Sequence, residues 1–142
     1  MKGLRGLLAC LAVIGGIGGA LAAGDLAGKP TRLPDLVLGN DDTGFGMSQK
    51  EYSLETGKAY RLKIVSTGKH EYAVVADDLF DTIWLRKVEA GGMEIKANRL
   101  TELEFEKAAQ AEIFFVPIRP GNFRMRVKGL DSKGMVVTFT IK

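Results

Sequence analysis

Nine short segments with alternating or dominant apolar residues most constrain how this chain can fold. They are Leu36–Leu38, Glu51–Leu54, Ala59–Val65, Glu71–Val75, Met93–Ala97, Leu100–Phe105, Glu112–Val116, Phe123–Lys128 and Val136–Ile141. Thr43-Gly44, Thr56-Gly57, Thr67-Gly68, Gly91-Gly92, Pro120-Gly121 and Lys133-Gly134 separate most of them. Short strands at roughly 8 to 12-residue spacing, broken by such turns, are the pattern of an all-β sandwich. Asp77–Arg86 (DDLFDTIWLR) departs from it and predicts a short helix near 77–86, capped by Asp77 or Asp78 and burying Leu79, Ile83 and Trp84. Alternation assigns faces in two strands. Tyr60, Leu62 and Ile64 share one face of Ala59–Val65, and Phe123, Met125 and Val127 share one face of Phe123–Lys128. Arg61, Lys63, Arg124, Arg126 and Lys128 then point outward, and Phe105, Phe114, Phe115, Trp84 and Tyr60 read as core.

The N-terminus is of another kind. Lys2 and Arg5 precede an apolar, glycine-rich run from Leu7 to Gly19 and then Ala20-Leu21-Ala22, the charged, apolar and small-residue order of a secretory signal peptide. Cleavage after Ala22 is expected, with export to the periplasm. Two alternatives compete with it. Leu7-Leu8-Ala9-Cys10 resembles a lipoprotein box, but only four residues separate Arg5 from Cys10, fewer than the usual 7 to 15 apolar residues. Gly6–Ala23 also approaches the length of a membrane anchor, although the Ala-x-Ala site favours cleavage. Residues 1–22 are thus read as a signal peptide, 23–34 as a lead-in, and 35–142 as one domain.

Two consequences follow for chemistry. Loss of Lys2 and Arg5 lowers the net charge from +3 to +1, which leaves no basic block of the density that nucleic acid requires. Cleavage also removes Cys10, the only cysteine, so the mature chain has no disulfide, thiolate ligand or cysteine nucleophile. Catalytic signatures are missing as well: there is no Gly-x-Ser-x-Gly, no Walker loop and a single histidine, His70. An enzyme is not expected.

The C-terminal stretch Gly121–Lys142 (GNFRMRVKGLDSKGMVVTFTIK) resembles the closing strand, ligand loop and final strand of cupredoxins. Gly121, Phe123, Met125, Gly134 and Met135 fit that family's pattern without a gap. A second point of resemblance is Ser66–Tyr72 (STGKHEY), where His70 falls at the family's first copper-ligating histidine. Met135 falls at the weak axial methionine. The chain departs from the pattern at the other two ligands, with Val127 at the cysteine position and Leu130 at the second histidine.

The resemblance implies a Greek-key cupredoxin-like sandwich without a type 1 copper site, because blue copper requires a thiolate beside two imidazoles. One imidazole and one thioether form a soft set suited to Cu(I). The metal ligands implied are His70 and Met135, and the cofactor implied is copper, ahead of iron. Similarity to cupredoxin-like domains of bacterial periplasmic iron-uptake systems is partial, through His70-Glu71-Tyr72, and would recruit Glu71, Asp77, Asp78 or Glu89. The alternative function is a metal-free module that docks through its basic strand face on an acidic periplasmic or membrane-associated partner.

Overall fold

The structure, a computed structural model, describes residues 28–142. The signal-peptide reading of residues 1–22, with Cys10, lies outside the described residues. Eleven strands, one α-helical turn and a 3-10 turn at Asp131–Lys133 form a Greek-key sandwich: β1 (Thr31–Arg32), β2 (Leu36–Leu38), β3 (Glu51–Leu54), β4 (Tyr60–Ser66), β5 (Tyr72–Val75), α1 (Asp77–Phe80), β6 (Ile83–Ala90), β7 (Met93–Ile95), β8 (Glu102–Phe105), β9 (Ala109–Pro117), β10 (Gly121–Val127) and β11 (Val136–Ile141). The first sheet runs β1-β4-β9-β6-β7, with β2 beside β1 on the same edge of β4. The second runs β3-β11-β10-β5-β8. Both are mixed, because β1 and β2 lie parallel to β4 and β3 lies parallel to β11.

The predicted alternation is what closes the sandwich. Tyr60, Leu62 and Ile64 from the first sheet meet Phe123, Met125, Val127, Val137, Phe139 and Ile141 from the second in one buried cluster. Such a layer is held by the roughly 25 cal/mol released per Å² of apolar surface removed from water. Tyr52 and Phe139 stack at 5.0 Å within it. Tyr52 also donates its hydroxyl to Pro34 O at 2.9 Å, and burial, reinforced by the Asp35 charge, pushes its phenol pKa up.

Three local readings are refined by tertiary pairing. The helix expected near 77–86 is a single turn, Asp77–Phe80, with Ala76 at its N-cap position and no side-chain cap from Asp77 or Asp78. Ile83 onward is strand β6, because its backbone pairs with β9 from Ile83↔Pro117 to Ala90↔Ala111. Leu79 and Ile83 are buried as expected, but Trp84 points away from the core and is 41% exposed. Thr31–Arg32, within the lead-in, join the first sheet beside Tyr60 and Arg61.

Candidate metal centre

His70 sits in the loop between β4 and β5, two residues before Tyr72. The β5–β10 ladder pairs Val74 with Val127, and Lys128 N donates to Ala73 O at 2.8 Å. This brings the entrance of β5, and with it the His70 loop, beside the β10–β11 connection. Val127 closes β10, Leu130 follows, and Met135 precedes β11. Val127 N donates to Met135 O at 3.0 Å, and Leu130 N to Val127 O at 3.0 Å. The two predicted ligands therefore lie toward the same end of the sandwich, in different environments: His70 is exposed and Met135 is wholly buried. Val127 is buried too, and Leu130 packs partly buried against the core, so apolar packing occupies the positions matched to cysteine and second histidine.

What holds the imidazole is a loop that the sequence reading treated only as a turn. His70 Nε2 lies 3.0 Å from Thr43 O, and the Phe45 ring stacks on His70 at 4.6 Å with a 9° interplanar angle. A carbonyl can only accept, so Nε2 carries the proton, and in the neutral ring Nδ1 keeps its lone pair. Tyr72 meets the same imidazole edge-on at 6.1 Å and donates its hydroxyl to Gly44 O at 2.7 Å. Gly44 has φ 78°, and a Cβ there would stand 2.6 Å from the His70 ring, so only glycine lets the loop approach this closely. Lys133 Nζ lies 5.4 Å over the Phe45 ring, tying the β10–β11 connection to the same cluster.

Asp41 organises the loop from within. Its carboxyl is held below the ordinary 3.8, chiefly by the Gly46 N–H, with the Thr43 hydroxyl and the Gly44 and Phe45 N–H groups adding to this against some desolvation. Thr43 Oγ1 donates to Asp41 at 3.0 Å and accepts from Phe45 N at 3.2 Å. Lys69 Nζ donates to Asp41 O. Asn40-Asp41-Asp42-Thr43-Gly44 carried a signal for this loop, since Asx and Thr side chains favour such turns. Nothing in the sequence marked the Thr43 carbonyl as a partner of His70.

Among the described residues no three of His, Cys, Asp and Glu cluster as a metal would require. Glu89 is ion-paired with Lys87, and Asp77 and Asp78 open α1. No thiol is present in residues 28–142. Residues 28–142 thus supply no thiolate for a type 1 site, and of the ligand positions named by the resemblance only His70 and Met135 carry donor side chains.

The basic residues read as one outward face are divided between sheets. Arg61 and Lys63 lie on β4, where Glu112 neutralises them at 3.7 and 3.6 Å. Arg124 and Arg126 lie on β10 of the other sheet, with Lys128 just beyond it; Arg126 pairs with Asp131 and Lys128 with Glu102, each at 3.4 Å.

No protein-family model and no curated protein matches the chain. Solved structures do. A multicopper oxidase from Campylobacter jejuni superposes with a TM-score of 0.56 at 12% identity, over 82% of this chain and 31% of that one. Dithionite-reduced auracyanin from the photosynthetic bacterium Roseiflexus castenholzii gives 0.52 at 15%, over 81% of this chain and 99% of its own. A copper nitrite reductase from Nitrosomonas europaea gives 0.51 at 13%, over 67% and 33%. The chain spans about a third of the length of the oxidase and the reductase, and nearly all of the auracyanin. At these identities the likeness shows the fold, and the fold is cupredoxin-like, as the C-terminal pattern implied.

Proposed function

We propose that this is an exported, non-enzymatic metal-handling protein of the cupredoxin-like fold. It binds copper, ahead of iron, through His70 and Met135 and has no type 1 site. The observation that carries the reading is the His70 imidazole, held by the Thr43 carbonyl and the Phe45 face with Nδ1 available. A ring N–H donated to a backbone carbonyl is the arrangement that orients histidine ligands in metal sites. The buried Met135 supplies a soft donor sheltered from water, which matches Cu(I). Copper bound there would be colourless and would need a further donor from solvent or a partner protein. Docking through the basic strand face has less support, because four of its five cations are engaged by carboxylates.

Anaerobic Cu(I) titration of residues 23–142 against a competing chelator tests this, with His70→Ala and Met135→Leu as variants. Loss of an outer hydrogen-bond partner already costs 10 to 100-fold in metal affinity, so loss of His70 should cost about 100-fold or more. Leu fills the methionine volume at a cost below about 1.5 kcal/mol, so a weaker Met135→Leu complex reports the thioether rather than unfolding. Equal affinity in all three proteins would leave His70 a structural side chain. Mass spectrometry of the exported protein should show Ala23 as the first residue.

A further inference from the structure

In a two-layer sandwich a central strand normally buries one face, yet the last five residues of β9 and the residue after it read IFFVPI, apolar throughout. Ile113 and Phe115 enter the core, whereas Phe114 and Val116 stay outside that cluster and are still 8% and 1% exposed. Lys87 Nζ covers Phe114 at 4.6 Å, and Trp84 stands opposite Val116 in the β6–β9 ladder. The ladder continues one residue further, with Ile118 N donating to Thr82 O at 3.0 Å. The outer face of the first sheet thus ends in an apolar strip whose outermost members, Trp84 and Ile118, are 41% and 58% exposed.

Three cations border this strip. Register slips between Leu85 and Lys87, making Arg86 the extra residue of a bulge, and its guanidinium reaches only Gly28 O at 3.5 Å. Arg119 is exposed beside Ile118, and Lys29 is exposed beside Gly28. None of the three has a carboxylate partner among the described residues, while nearby Asp81 and Glu55 are engaged by Arg99 and Lys58. Farther along the sheet, Arg61, Lys63 and Lys87 are all paired with acids.

We propose that Trp84 and Ile118, which flank the buried Val116 and are rimmed by Arg86, Arg119 and Lys29, form a docking surface for an acidic partner protein. Opposed cations and carboxylates around an apolar centre steer association and fix orientation. A second copy suits it poorly, because a two-fold contact sets each cationic rim against its own counterpart. Two exposed apolar side chains fall well short of the roughly 800 Å² per partner of a stable complex, so the contact is transient. The surface lies at the Tyr60 end of β4 and His70 beyond the Ser66 end, about 20 Å away at 3.3 Å per residue. A partner bound here leaves the His70 end open, and the surface stands whether or not His70 binds metal.

The test places the photo-crosslinker p-benzoylphenylalanine at position 118 of the full chain, and at position 124 on the other sheet as control, in cells exporting the protein. The crosslinked peptide is identified by mass spectrometry, and its parent protein is purified and titrated against the mature chain. Trp84 is the only tryptophan, so its emission reports coverage directly. The expected result is a position-118 adduct on a carboxylate-rich segment, and a shift of Trp84 emission to shorter wavelength on binding. Arg119→Glu should weaken affinity about tenfold or more, raised salt should do the same, and Arg124→Glu should change nothing. An adduct with the chain itself, with lipid, or no more frequent than at position 124 overturns the proposal, as does unchanged affinity in Arg119→Glu.

Discussion

Replacing Tyr72 by Phe removes one oxygen atom and should loosen the His70 loop. The Tyr72 ring is fully buried and remains so in the variant; what is lost is the hydroxyl that donates to Gly44 O at 2.7 Å. Gly44 is itself buried, and a Cβ built on Gly39 would stand 2.1 Å from the same hydroxyl, so the oxygen is boxed between two loop glycines. Stranding a buried carbonyl costs about 1 to 3 kcal/mol. For a domain of this size that corresponds to a fall in Tm of about 4 to 12 °C, at about 4 °C per kcal/mol. The loss falls on the segment whose Thr43 carbonyl and Phe45 ring hold His70. Thermal unfolding by circular dichroism reads the first effect, and exchange of the His70 Nε2 proton by NMR reads the second. Tyr52→Phe is the matched control, since that hydroxyl serves Pro34 O instead; it should lower Tm while leaving His70 protected. A Tyr72→Phe variant that melts within about 1 °C of wild type with its His70 proton equally protected would refute the argument.

Two further outcomes are expected. Asp41 is depressed below 3.8 in the folded protein, so its contribution to the loop is complete above that value and is lost as pH falls through the still lower folded pKa. The Gly44, Phe45 and Gly46 amide resonances should therefore titrate together with a midpoint below 3.8 and cease to do so in Asp41→Asn; a midpoint at or above 3.8 contradicts the hydrogen-bonded loop. Val127 and Leu130 lie on one tight turn, so Val127→Cys with Leu130→His should complete a thiolate and two-imidazole set with His70 and give intense visible absorption with Cu(II). An unligated imidazole at position 130 costs about 1 to 3 kcal/mol, so the reading is taken on folded protein, and a folded, colourless double variant would place these positions away from His70.

Period-2 alternation was enough to orient β4 and β10, because one-residue slippage would turn every apolar side chain of a strand toward water. Alternation reached only a β-sandwich; the cupredoxin-like fold was legible through the resemblance of Gly121, Phe123, Met125, Gly134 and Met135 to that family's closing strands. The absence of a thiol from residues 28–142 is likewise a matter of sequence alone, and it means that these residues offer no thiolate to a metal. Strand β6 was not legible. Asp77-Asp78 and the Leu79–Ile83 spacing satisfy a helix locally, and only the hydrogen bonds that β9 offers from Pro117 onward convert Ile83–Ala90 into a strand and turn Trp84 outward. Alternation also says that a basic side chain leaves the core but not from which sheet, so the separation of Arg61 and Lys63 from Arg124, Arg126 and Lys128 required the strand order. The support of His70 was equally invisible. It depends on a backbone carbonyl 27 positions earlier, and every residue has such a carbonyl; only the folded chain decides which one a ring nitrogen meets.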